Sequence, residues 1–259
     1  MVAKRTVLIT GASRGIGAET AKSLAQQGIN VVLFARSEAD LVEVAQQVGE
    51  LGGNALIVVG DVSRREDCQR AVRESVETFG GLQAVVNNAG VIQPINAIAN
   101  ADIKDWVWNW EVNFLGPLMV CQSSLPHLRK QAGRVVNISS GAALRAIRGW
   151  AAYSTAKAAL DHLTLILAAE EKDVVSVGLR PGVVDTAMQV EIVERGGEGM
   201  PQDEHQKFVK QKQDGKLISP SLPGRAAAAL ALHAPKDWSG QTVVWNDEQV
   251  EDLVGLLKA

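Results

Sequence analysis

Short apolar runs alternate along the chain with longer stretches whose apolar positions recur at helical spacing, which predicts strands and helices in strict alternation. The strands are predicted at 6–10, 31–35, 56–59, 84–86, 134–138, 174–179 and 241–245. A helix over 15–27 is closed by Gly28, where a C-cap favours glycine. Ser37 is placed to cap the next helix, which runs to about 51, and Ser63 with Glu66 has capping-box spacing for a helix to about 79. One long helix over 103–130, another over 151–171 and an alanine-rich one over 224–233 complete the pattern. Strands apolar on both faces and separated by helices require a parallel sheet covered on both sides, so the predicted fold is α/β, a Rossmann-type doubly wound sheet in a single domain over 1–259. Only the stretch 185–223 breaks the rhythm. Rich in Gly, Gln, Lys and Glu, it reads as a mobile substrate lid or as a solvated surface excursion.

Composition narrows the partners. The chain has 259 residues, 46% of them hydrophobic and 21% charged, with a net charge of -3, which gives no basic footprint for nucleic acid. No apolar run reaches the length of a membrane span and no signal-like segment opens the chain, so a cytoplasmic protein is expected. Cys68 and Cys121 lie apart from any CxxC cluster, and His127, His162, His205 and His233 are scattered, so neither a disulfide nor a metal is expected.

The first predicted strand runs directly into Gly11, Ala12, Ser13, Arg14, Gly15, Ile16 and Gly17, a glycine-rich turn that opens a helix. Small residues there let backbone N–H groups and a helix N-terminus approach a pyrophosphate. At the end of the second strand, where an NAD site commonly carries a carboxylate, stand Arg36 and Ser37. Arg36 with Arg14 suits a 2′-phosphate, so NADP(H) is the expected cofactor; solvated surface arginines are the alternative. Asp61 and Val62 after the third strand either touch the adenine or only turn the chain, and Asn88, Ala89 and Gly90 end the fourth strand at the edge where a cofactor should lie.

Tyr153 and Lys157 stand four apart in a helical stretch and so share a face. A tyrosine active near neutrality needs a cation to favour its phenolate, and Lys157 supplies one. Ser140, with Ser139 as the fallback, follows the fifth strand and can hydrogen-bond a substrate oxygen.

These motifs, TGASRGIG, NNAG, Asn113, Ser140, YSTAK and Pro181-Gly182, resemble the classical short-chain dehydrogenases/reductases in order and approximate spacing over nearly the whole chain. The resemblance implies a catalytic tetrad of Asn113, Ser140, Tyr153 and Lys157, with Asn113 organising a helix kink and a proton-relaying water. It also implies that Lys157 binds the nicotinamide ribose and that Val184 and Thr186 hold the carboxamide. NISSGAALRAIRGWAAY, LAAEE and PGVVDTAMQ are similar to the sepiapterin reductase and benzil reductase branch. Where sepiapterin reductases carry a C-terminal aspartate this chain has Val244, with Asp247 three residues on, so a ketone or diketone is the expected substrate rather than a pterin. Trp150, Met188 and Trp245 are the candidate pocket walls, with core packing the other reading of Trp150. Trp106, Trp108 and Trp110 alternate, so at least one should face outward or a partner subunit; the resemblance implies a homodimer or a tetramer. Competing functions are a 3-ketoacyl thioester reductase, a polyol dehydrogenase and a non-catalytic NADP sensor.

Overall fold

A computed structural model describes residues 5–258. Seven parallel strands form one sheet in the order β3-β2-β1-β4-β5-β6-β7: β1 Thr6–Thr10, β2 Asn30–Ala35, β3 Asn54–Val59, β4 Ala84–Asn87, β5 Arg134–Ile138, β6 Val175–Arg180 and β7 Thr242–Val244. The order reverses direction between β1 and β4, which opens a crevice at the carboxyl ends of those two strands.

One face of the sheet is covered by α1 (Gly15–Gln26), α2 (Glu38–Glu50), α9 (Ser221–His233) and α10 (Glu248–Gly255). The alanines of α9 let it approach closely, with Ala226, Ala227, Ala228 and Ala229 all buried. The other face carries α3 (Arg65–Phe79), α5 (Gly116–Leu128) and α6 (Ala151–Glu170). Asn87 donates to Asn137 at 2.9 Å, and Asn137 donates to Thr164 at 3.0 Å, so a buried polar chain ties β4 and β5 to α6.

Four local expectations need correction. The helix predicted over 103–130 is α4 (Ile103–Trp110), a π turn at Glu111–Leu115, α5 and a short 3-10 turn, because Asn113 is buried and bonds outside the helical ladder. Ser63 forms no capping box: its hydroxyl donates to Asp61 at 2.8 Å, and Arg64 holds the cap position of α3. Ser37 occupies the cap position of α2, yet its side chain makes no capping bond. The stretch 185–223 is structured rather than a loose loop, with α7 (Ala187–Arg195) and α8 (Gln202–Gln213) inside it.

Trp106, Trp108 and Trp110 are all half-buried, and Trp110 packs edge-on against Phe114 with centroids 5.6 Å apart. Among the described residues no helix is long and apolar enough to cross a membrane, and no group of three or more His, Cys, Asp or Glu side chains converges as a metal site.

Candidate active site

A cleft of about 790 Å³ lies along the carboxyl ends of the strands and is lined from the glycine turn through Arg36 and Asn88 to Ser140, Tyr153 and Met188. It brings together nearly all of the expected site residues. Gly11, Ser13, Arg14, Gly15 and Ile16 line it together with Arg36, Ser37, Asp61, Val62, Asn88, Ala89, Gly90, Lys157, Pro181, Gly182, Val184 and Thr186, and the Thr186 methyl lies 3.2 Å from where a Cβ on Gly15 would be.

The glycine turn is shaped by close backbone approach. A Cβ on Gly17 would fall within 2.4 Å of the Gly11 carbonyl oxygen, and one on Gly11 would fall within 2.8 Å of the Ala89 Cα at a φ of +63 that side chains resist. Asn88 clamps the turn, donating to the carbonyls of Thr10 at 2.9 Å and Gly11 at 3.1 Å, while the Thr10 hydroxyl accepts from the backbone of Asn88 and Ala89. Arg14 caps α1 without a side-chain bond, which leaves the first-turn N–H groups facing the cleft. Such a cradle fits a dinucleotide pyrophosphate. Gly17→Ala is expected to weaken nicotinamide cofactor binding by about tenfold or more, since the Gly11 turn must move; a fluorescence titration giving an unchanged Kd would refute this.

Arg36 points its guanidinium over the cleft with its side chain 63% exposed, 3.8 Å from the Asp61 carboxylate. Asp61 is held in turn by the backbone and hydroxyl of Ser63. The position therefore offers an exposed cation beside a held acid, and Asp61 both turns the chain and lines the cleft.

At the other end, α6 delivers Tyr153 and Lys157 one turn apart, both buried, with the lysine Nζ 5.7 Å from the tyrosine ring centre. Lys157 donates to the Ile138 carbonyl at 2.8 Å, which pins it to the end of β5. Asn113 donates to the Val91 carbonyl at 2.9 Å and accepts from the Val91 N–H at 3.2 Å, so its amide holds the π turn against the strand-end loop at Gly90. Ser140 caps a short turn by accepting from the Ala142 N–H at 3.1 Å. Its neighbour Ser139 is buried and also lines the cleft.

Burial raises the Tyr153 phenol above its ordinary value, and the Ser140 hydroxyl offsets part of that rise. In the cofactor-free protein Tyr153 therefore holds its proton at neutral pH. Burial also lowers Lys157, to about 8, against a smaller opposing pull from Asp161. Sequence reasoning missed that acid: Asp161 bonds Arg180 at 2.7 Å, and only its i+4 spacing from Lys157 hinted at a role.

Around Tyr153 the cleft has an apolar wall of Ile92, Ala142, Trp150 and Ile192, with Ile95 and Met200 in the same buried cluster. Trp150 satisfies both of its readings: it is buried, and it lines the cleft, meeting Tyr153 edge-on at 6.0 Å and stacking on Phe208 of α8 at 4.8 Å. Met188 also lines it. Trp245 does not: it packs behind Gly182, its Nε1 3.3 Å from where a Cβ would be, on the core side of the sheet. Asp247 turns away as well, accepting the Val244 N–H at 2.7 Å beside α10. The stretch holding α7 and α8 is tied down by ion pairs from Arg148 to Asp203 and Glu204. Ile147, Gln189, Ile192 and Phe208 enter the cleft wall without having been anticipated.

A family model described as short chain dehydrogenase matches residues 5–196. An uncharacterized oxidoreductase of Schizosaccharomyces pombe is 38% identical over 244 residues, covering 94% of this chain and 97% of its own length. Benzil reductase ((S)-benzoin forming) of Saccharomyces cerevisiae is 33% identical over 263 residues, covering 97% and 99%. The crystal structure of a short chain dehydrogenase/reductase from Saccharomyces cerevisiae superposes with a TM-score of 0.91 at 34% identity, over 96% of this chain and 99% of that one.

Proposed function

The chain belongs to the short-chain dehydrogenase family, in its benzil reductase branch, and from that premise we propose that it is an NADPH-dependent carbonyl reductase acting on ketones and diketones. As a member of the family it is an oxidoreductase of alcohol and carbonyl groups that takes a nicotinamide cofactor. The observation that carries the reading is the convergence of Ser140, buried Tyr153 and buried Lys157 on one apolar-walled cleft whose far end is the glycine cradle.

Bound nicotinamide would supply the hydride, held at Pro181, Gly182, Val184 and Thr186. Ser140 would hold the carbonyl oxygen by donating to it, which polarises the bond and stabilises the alkoxide that develops. Tyr153, protonated because it is buried, would deliver its proton to that oxygen. Lys157 would anchor the cofactor ribose and, while charged, ease the proton's departure from the phenol. Asn113 would keep the π turn and the Gly90 loop in register with both. The lid reading of 185–223 extends to α7 and α8, with Trp150 and Phe208 excluding water above the carbonyl.

Self-association belongs to the same reading. Ile103 and Val107 on α4 are 71% and 50% exposed, and Leu165 on α6 is also exposed, apolar side chains that a second copy would cover. Cys68 and Cys121 are buried free thiols, both pushed up to about 12 mainly by burial, which suits a reducing, cytoplasmic setting.

NADPH oxidation in the presence of benzil, an aromatic ketone, sepiapterin and an acyl thioester tests the reading: the diketone should be turned over best, and no oxidation with any of the four would defeat it. The cofactor arm is separate. Arg36→Ala is expected to lower the NADPH-over-NADH ratio of kcat/KM by about tenfold to a hundredfold, through loss of a charge-assisted contact with the 2′-phosphate. A ratio unchanged by the substitution would remove Arg36 from the site.

A further inference from the structure

Ser140 opens the short turn Gly141–Ala143, and the chain then passes through Arg145 before reaching Trp150 at the cap position of α6. Arg145 is exposed, yet its guanidinium folds back over that turn: a Cβ on Gly141 would fall 3.4 Å from its Nη2, and the side chain lines the cleft. Gly141 directly follows Ser140, so the cation stands within reach of a substrate whose carbonyl is held at Ser140. The other charged side chains of the cleft wall are accounted for within the protein. Arg36 faces Asp61 at 3.8 Å, Glu191 faces Arg195 at 3.8 Å, and Lys157 donates to the Ile138 carbonyl. Arg14 belongs to the glycine cradle and Asp40 to the first turn of α2. Arg148, three residues beyond Arg145, takes both Asp203 and Glu204 of α8, which leaves Arg145 with no carboxylate in bonding range among the described residues.

We propose that Arg145 is a specificity residue that pairs with a carboxylate carried by the substrate, so that the cleft takes oxo acids, ketones with an acid group a few bonds from the carbonyl being reduced. The proposal rests on the carbonyl-reductase reading and adds a charged contact to it. Ser140 and Tyr153 serve the reacting oxygen, and the apolar wall of Ile92, Ala142 and Trp150 suits the hydrocarbon part of the molecule. A planar guanidinium meets a carboxylate through two parallel N–H bonds, a geometry that an ester or a hydrocarbon cannot use. The contact therefore sorts ketones by charge. Because Arg145 is exposed, water and salt screen the pairing, and its effect is that of a surface contact rather than a buried one.

The paired probes are 4-oxo-4-phenylbutanoate and its methyl ester, whose methylene spacer leaves the ketone equally reactive in both. In Arg145→Gln, kcat/KM for the acid should fall about tenfold, mainly through KM, while that for the ester should change by no more than about twofold. Arg145→Lys should recover part of the loss on the acid, and added salt should raise KM for the acid but not for the ester. Equal losses on both compounds, or no loss on the acid, would overturn the proposal. So would a wild-type protein that reduces benzil or the ester but not the acid. A wild-type protein that reduces none of the three defeats the carbonyl-reductase reading instead. Quenching of tryptophan fluorescence by 4-oxo-4-phenylbutanoate then decides the contact alone: weaker binding in Arg145→Gln supports it, and equal binding rejects it.

Discussion

Tyr153→Phe is expected to lower kcat/KM for ketone reduction on the order of 10³-fold while leaving the Kd for NADPH nearly unchanged. The separation follows from what the substitution keeps. The ring remains edge-on to Trp150 and beneath the Lys157 ammonium, so the packing of α6 against the cleft is preserved. Only the hydroxyl is lost, and its partner inside the protein is the Ser140 hydroxyl, which has the Ala142 N–H as a second contact. Stability should therefore change by no more than about 1 kcal/mol. Cofactor binding by fluorescence titration, steady-state rates with benzil and a denaturation curve check the three parts. A variant that keeps more than about a tenth of its turnover would show that the proton comes from elsewhere, water in the cleft being the obvious source.

The alternation of strands and helices was legible because strands buried on both faces admit little but Val, Ile, Leu and Ala, as in 31–33 and 84–86, and the intervening helices need only one apolar stripe. The π turn was not legible, because the bonds that create it run from Asn113 to Val91, residues that become neighbours only after the sheet has formed. Ser63 had the right spacing for a capping box, but the carboxylate of Asp61 two residues earlier is the stronger acceptor for its hydroxyl. Helix α8 escaped notice because QDEHQKFVKQKQ has hardly any apolar stripe; Phe208 is the side chain that anchors it, by stacking on Trp150.

The candidate site shows the same division. Gly11, Gly15, Ser140, Tyr153 and Lys157, which line the cleft, and Gly17, which packs on the Gly11 carbonyl, were legible by local spacing, since each is set by its position on a turn or a single helical face. Trp245 was misplaced because direction matters as well as position: the chain leaves β7 with that ring behind Gly182 and away from the cleft. The burial that raises the Tyr153 phenol in the cofactor-free protein was not legible, because the sequence displays the neighbouring lysine but not the packing around the ring. Gln189 carried no spacing signal at all. A glutamine on a helix reads as surface, and its burial in the cleft wall is set only once α7 has packed.

Lys157→Met is expected to abolish reduction and, at the same time, to stabilise the cofactor-free protein at neutral pH. Lys157 is 3% exposed, and burial brings it down from 10.5 to about 8. The folded protein therefore binds fewer protons than the unfolded chain between those two values, so stability must rise with pH across that window. Below about pH 8 the charged lysine weakens the fold by on the order of 3 kcal/mol, and above about pH 10.5 that penalty is gone. Methionine is close in length and carries no charge, so it removes the penalty; it also gives up the bond to the Ile138 carbonyl, a loss of about 1 to 2 kcal/mol. The net expectation is a gain of about 1 to 2 kcal/mol at pH 7 that shrinks and reverses by pH 10.5. Urea denaturation of wild type and variant at both pH values measures it directly. A variant less stable than wild type by the same amount at both would mean that the buried ammonium is fully compensated where it lies. The predicted pattern would mean that the fold holds a charged lysine beside Tyr153 at the expense of its own stability, as expected for a group kept there by chemistry rather than by packing.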